Sequence, residues 1–113
     1  MRIVRDEISL EELKKMAKDV FGDLVKAVVD VEREIMAIGG ELHADEEAIL
    51  LQEGSQQKNL WGINLYPEIE TEDWIEYDSV INIRPSKGNY TRSVDDPEVR
   101  GKIIKIVHRL VKR

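Results

Sequence analysis

The sequence contains no cysteine. That absence removes any disulfide framework and every thiolate metal centre. A metal would have to be held by His, Asp or Glu, and there are only two histidines. No apolar run approaches the roughly 20 residues of a membrane-spanning helix. The opening stretch MRIVRDEISLEELKK puts charges where a secretory signal needs its apolar core. A cytoplasmic protein with no membrane partner is therefore expected. Proline is scarce, at three residues, and aromatics make up 5%. What remains is 113 residues, 42% of them hydrophobic and 35% charged. That length fits one domain over residues 1–113, large enough to bury a core without staples.

Charge is plentiful and uneven. The chain holds 17 basic and 23 acidic residues, a net charge of −6. Six of the basic residues and none of the acids fall in 100–113, which leaves 11 against 23, or −12, on residues 1–99. Such asymmetry flags a candidate interaction surface.

Periodicity supplies the element pattern. Ile3-Val4 reads as a short strand. Ser9 with Glu12 three residues on forms a capping box, and Leu10, Leu13, Met16, Ala17, Val20 and Phe21 follow at helical spacing up to Gly22. Leu24–Glu32 alternates as a half-buried strand, Arg33-Glu34 fits a two-residue turn, and Ile35–Ile38 resumes as a second strand before Gly39-Gly40. The region 45–53 admits two readings: a helix capped by Asp45 and stopped by Gly54, or a strand through Ala48–Leu51. Ser55–Asn59 is a loop. Trp61–Tyr66 and Trp74–Arg84 read as two further strands, the second ended by Pro85. Asp95-Asp96-Pro97 opens a final helix with the apolar stripe Val99, Ile103, Ile106, Val107 and Leu110. The fold expected is α+β: an antiparallel sheet of about four to five strands, packed on one face by an N-terminal and a C-terminal helix.

Three constellations stand out. If Trp74–Arg84 is a strand, Asp78, Asn82 and Arg84 alternate onto one face, and the loop beyond Pro85 adds Asn89 and Arg92. Guanidinium and amide groups suit an anion, because arginine donates two parallel hydrogen bonds to carboxylate or phosphate. The plainer reading is an ordinary polar sheet face. Second, Glu41, His43 and Asp45 would share one side of an extended segment, a spacing able to ligate a metal or to pair His43 with an acid, Glu47 included, as a general base. A lone His-x-Asp is a weak motif, and acids beside a helix start are common caps. Third, Lys102, Lys105, Arg109 and Lys112 form a basic stripe; net charge −6 argues that it solvates a helix rather than binding nucleic acid.

The segments Gly39–Asp45, Trp61–Pro67 and Asp78–Pro85 resemble a family of small prokaryotic proteins described as a domain of unknown function, DUF5674. The resemblance runs over nearly the whole chain and implies no activity, cofactor or catalytic residue. The residues themselves point to a non-catalytic binding or assembly module, with Asp78, Asn82, Arg84, Asn89 and Arg92 bordering a site for an anionic ligand or partner. The alternative is a small metal-dependent or acid/base hydrolase using His43, Asp45 and Glu47. No residue pattern calls for a cofactor. A small antiparallel sheet has edges to cover, which makes a homo-oligomer one expectation for a partner.

Overall fold

A computed structural model describes residues Met1–Arg113. Strands β1 (Arg2–Val4), β3 (Val25–Asp30), β4 (Ile35–Ile38), β5 (Leu60–Leu65) and β6 (Ile75–Glu76) form one antiparallel sheet in the order β1-β4-β3-β5-β6. Helices α1 (Leu10–Val20), α2 (His43–Gln52) and α3 (Pro97–Leu110) complete an α+β fold. A two-residue parallel pair, β2 (Ile8–Ser9) with β7 (Val111–Lys112), fastens the start of α1 to the end of α3. No helix is long and apolar enough to cross a membrane.

The local signals that depend on neighbouring residues act as expected. Ser9 Oγ accepts the Glu12 backbone N–H at 3.1 Å, and Asp96 accepts from Glu98 N at 2.8 Å, with Pro97 in the first turn of α3. The β3–β4 turn departs from expectation. It runs over four residues, 31–34, because Asp30 folds its carboxylate back onto the backbone N–H groups of Glu32 and Arg33, both at 2.9 Å. The same buried carboxylate accepts the Ser55 hydroxyl at 2.6 Å, tying this hairpin to the loop after α2. An aspartate thus does the work that glycine or asparagine does in shorter turns.

The sheet is covered on both faces, not one. Ala27, Val29, Met36, Ile38, Ile63 and Leu65 face Leu13 and Ala17 of α1 and Ile103, Ile106, Val107 and Leu110 of α3. On the opposite face Val28, Ile35, Ala37 and Leu60 pack against Leu50 of α2, with Ile3, Ile49 and Ile81 at the margin. The sequence carries this in Val28-Val29 and in Ile35-Met36-Ala37-Ile38, which are continuous apolar runs rather than alternating ones. Of residues 45–53 the chain is helical to Gln52: α2 starts two residues before Asp45, Glu53 caps its end, and Gly54, with φ 99°, turns the chain away.

The largest departure is Trp74–Arg84. Only Ile75-Glu76 pairs with β5; the chain then leaves the sheet through short 3-10 turns at Val80–Asn82 and Pro85–Lys87. Beyond the Asn64–Glu76 pair, the backbone of Gly62 would face no strand. The Asn82 amide takes that place. Its Oδ1 accepts Gly62 N–H at 2.8 Å, and its Nδ2 donates to Gly62 C=O at 2.9 Å and to Arg92 C=O at 3.0 Å. The approach is so close that a Cβ on residue 62 would lie 2.6 Å from Ser79 Cβ. Glycine is the residue that fits.

Replacing Asn82 by Ala strips a buried peptide group of both partners and is expected to cost about 2–4 kcal/mol. Gly62→Ala is expected to cost about 1–3 kcal/mol by forcing the crossing segment away. Because both act on one junction, urea denaturation of the double variant should show a loss smaller than the sum. Costs below about 0.5 kcal/mol for both single variants would show that the junction does not hold the segment.

Candidate functional site

The segment 78–95 lies against β5 beside the start of α2, and its amides decide its shape. Asn89 is buried; its Nδ2 donates to the carbonyls of Asn82 and Ser93, each at 2.7 Å, with Thr91 O at 3.2 Å, and its Oδ1 accepts Asp95 N at 2.8 Å. Backbone bonds in both directions join Arg84 to Asn89. Arg100 reaches back from α3 to Val94 O at 2.6 Å and Ser93 Oγ at 2.7 Å, its guanidinium over the Tyr77 ring. Asn82 and Asn89 therefore spend their hydrogen-bonding groups on backbone. They shape the loop that carries the charged residues.

Asp78, Asn82 and Arg84 do not form a row on a strand face, because residues 78–84 are not a strand. Asp78 and Arg92 make an exposed ion pair at 2.6 Å through Arg92 Nε. Arg84 lies elsewhere: it lines a cleft of about 420 Å³ with Glu47, Gln57 and the 80–86 segment. Arg92 lines a second cleft, of about 210 Å³, with Lys26, His43, Ala44 and Ser79. Val80 and Ile81 are the wall shared by both clefts, so the two arginines stand on either side of it.

Glu41, His43 and Asp45 are not brought to one side. His43 is the first residue of a helix, and residues two apart on a helix point to nearly opposite sides. His43 is buried, whereas Glu41 and Asp45 are exposed. No three His, Asp or Glu side chains stand where they could hold a metal ion. Glu47, one turn beyond His43, faces Arg84 at 3.4 Å.

The smaller cleft has a consistent electrostatic character. Leu42, the residue that precedes α2, offers no capping side chain, so the amides of His43 and Ala44 have no acceptor within the helix. Lys26 projects from β3 with no ion-pair or hydrogen-bond partner, its ammonium 5.5 Å from the Phe21 ring. His43 lies 2.8 Å from the Ile63 carbonyl through Nε2. A carbonyl only accepts, so Nε2 carries the proton and Nδ1 presents a lone pair; Nδ1 has no hydrogen-bond partner in the protein. Burial holds the imidazole below its ordinary 6.5; the Ile63 bond opposes this, Lys26 adds to it, Asp78 opposes it and Arg92 adds to it. The histidine is neutral at pH 7.

Lys26, Ser79 and Glu46 were not among the residues singled out by sequence. Lys26 did alternate onto the polar side of its strand, but what it would face depends on a segment 50 residues away. Glu46 gave no signal at all, because an acid in the first turn of a helix is ordinary. Here it is fully buried, accepts Gly40 N–H at 2.9 Å through Oε2, and leaves Oε1 without a partner. Burial pushes its pKa up to about 9; the Gly40 bond, Lys26 and the N-terminal ammonium only partly offset this.

The chain belongs to a family described as Protein of unknown function (DUF5674), whose model matches residues 2–110. No curated protein and no solved structure matches it.

Glu46 supplies a pH test of this interior. The folded chain holds a proton that the unfolded chain releases near pH 4.5, so stability is lost as pH rises between about 4.5 and about 9, at up to about 1.4 kcal/mol per unit from this group. Glu46→Gln keeps the acceptor for Gly40 and cannot ionise. Its urea midpoint should decline less from pH 5 to 9 than the parent's. Parallel declines would mean that Glu46 is already ionised in the folded protein.

Proposed function

We propose that the chain is a non-catalytic binding module that takes a small oxyanion, a phosphate or carboxylate group, in the cleft at the start of α2. The observation that supports this most directly is that Lys26 and Arg92 line one cleft with the first two residues of an uncapped helix and no acid in its wall. Free N–H groups at a helix start and nearby cations both favour negative charge. Asp78 holds Arg92 by Nε alone, which leaves both terminal nitrogens to donate. Ser79 contributes a hydroxyl whose oxygen already accepts Ile81 N–H, so its hydrogen is free to be donated.

His43 makes this binding depend on pH. While neutral, its Nδ1 is an acceptor aligned with no donor of an oxyanion. Once protonated it becomes another donor, and because burial holds its pKa below 6.5 the affinity should rise only as pH falls below that value. Asn82 and Asn89 serve the site by holding the loop, and Asp78 serves it by orienting Arg92.

Sulfate, whose charge is constant over pH 5.5–7.5, is the cleanest probe. Titrated calorimetrically at low salt, it should bind with an affinity that rises as the pH is lowered from 6.5, and Lys26→Ala and Arg92→Ala should each weaken it about tenfold or more. Phosphate and citrate titrations at one pH separate phosphate from carboxylate preference. Lys105→Ala on the far helix should change nothing. Equal sulfate affinity across parent, Lys26→Ala and Arg92→Ala would overturn the proposal.

A further inference from the structure

The larger cleft, on the other side of the Val80–Ile81 wall, holds a different kind of site. Its arginine is poorly satisfied for a group so deeply placed. The side chain of Arg84 is only 11% exposed, and that of Glu47 15%. Their single contact, Nη2 to Oε2, spans 3.4 Å, well beyond the roughly 2.7–2.9 Å of a charge-assisted hydrogen bond. Arg84 Nη1 is buried with no partner, and Nε makes no hydrogen bond either. A guanidinium has five N–H donors; here one is used, and weakly. Trp61 supports the plane from below, with the guanidinium carbon 5.0 Å from the ring centroid, so the group is held in place by stacking rather than by bonds in its own plane.

Buried charges are normally paired and fully hydrogen-bonded, because an unmet donor costs its desolvation energy. The cost is visible at Arg84, whose pKa burial lowers, with Glu47 opposing. Glu47 is in a similar position: it uses one oxygen in that long contact and makes no other hydrogen bond. Both side chains line a cleft of about 420 Å³ whose remaining wall is apolar at Val80, Ile81, Ile83 and Pro85 and polar at Gln57 and Ser86. That volume falls within the range of small-molecule sites.

The chemistry of the pair selects the ligand. A plain carboxylate would satisfy Arg84 but would face the Glu47 charge at short range. A plain amine would satisfy Glu47 and face Arg84. A molecule carrying an ammonium and a carboxylate on one carbon meets both, and it leaves its side chain to the part of the wall formed by Val80, Ile81, Ile83 and Pro85. We propose that this cleft binds a free α-amino acid with an apolar side chain, its carboxylate on Arg84 and its ammonium on Glu47. This site is distinct from the oxyanion cleft and does not depend on it.

The test compares L-leucine with two molecules that each lack one charge, 4-methylpentanoate and 3-methylbutylamine, by saturation-transfer NMR and calorimetry on the full chain. Leucine should bind, and each analogue should bind at least about tenfold more weakly, since each forfeits a charged hydrogen bond. Glu47→Gln should reverse the preference between leucine and 4-methylpentanoate, and Arg84→Gln should abolish leucine binding. Should Arg84→Gln fail to fold, the reversal in Glu47→Gln carries the test. No leucine binding at millimolar concentration, or 4-methylpentanoate binding as tightly as leucine to the parent chain, would overturn the proposal. Sulfate affinity measured with and without saturating leucine keeps the two clefts separate: it should be unchanged, and a failure at either cleft leaves the other's result standing.

Discussion

The pairing of the Asn82 side chain with the Gly62 backbone is the contact on which the course of residues 77–95 depends. A strand that loses its neighbour partway along has a peptide group with nowhere to bond, and a buried peptide group cannot be left so. The chain solves this with an amide that has the same donor and acceptor as the backbone it replaces. The solution frees residues 77–95 from strand geometry. They can then wrap over the sheet, place Ser79 and Arg92 against the start of α2, and place Arg84 farther along the same helix. The absent Cβ at Gly62 is the steric half of the same device, and Asn89 repeats the amide strategy within the loop.

A charge pattern follows from that geometry. The sheet is buried on both faces, so every ionisable side chain pointing toward α2 has to be bonded, neutral or directed into a cleft. Asp30 is bonded to two backbone N–H groups and a hydroxyl. Glu46 is neutral, its proton retained by burial. Lys26 is left for the smaller cleft, and Arg84 with Glu47 for the larger. Groups that fit none of the structural solutions are gathered beside α2, which is where a small domain has room for ligands.

What could be read in the sequence followed from how far each signal reaches. The Ser9–Glu12 cap, the Asp96-Pro97 helix start and the pairing of Val25–Asp30 with Ile35–Ile38 all act over a few residues, and the structure has them. Short loops between apolar segments indicate the β3–β4 and β5–β6 pairings, whereas β1 with β4 and β3 with β5 join strands distant in sequence. The segment after Glu76 was misread because Ile75, Tyr77, Ile81 and Ile83 alternate as a strand would, while the competing partner, Gly62, lies 20 residues away. The start of α2 was obscure because Leu42, the residue before it, has no capping group to mark the helix start. Arg84 and Arg92 were visible as chemistry, but their placement in separate clefts depended on Val80 and Ile81, which look like core residues in sequence.

We propose that the start of α2 and the residues that Asn82 holds beside it form an oxyanion site. An amide-resolved NMR titration with sulfate at pH 6 tests it most directly. The largest shifts should fall on the backbone N–H groups of His43 and Ala44, with Ser79 and Lys26 next and α3 silent. Shifts centred on the exposed Lys102 and Lys105 of α3, or no saturable shift at all, would contradict it.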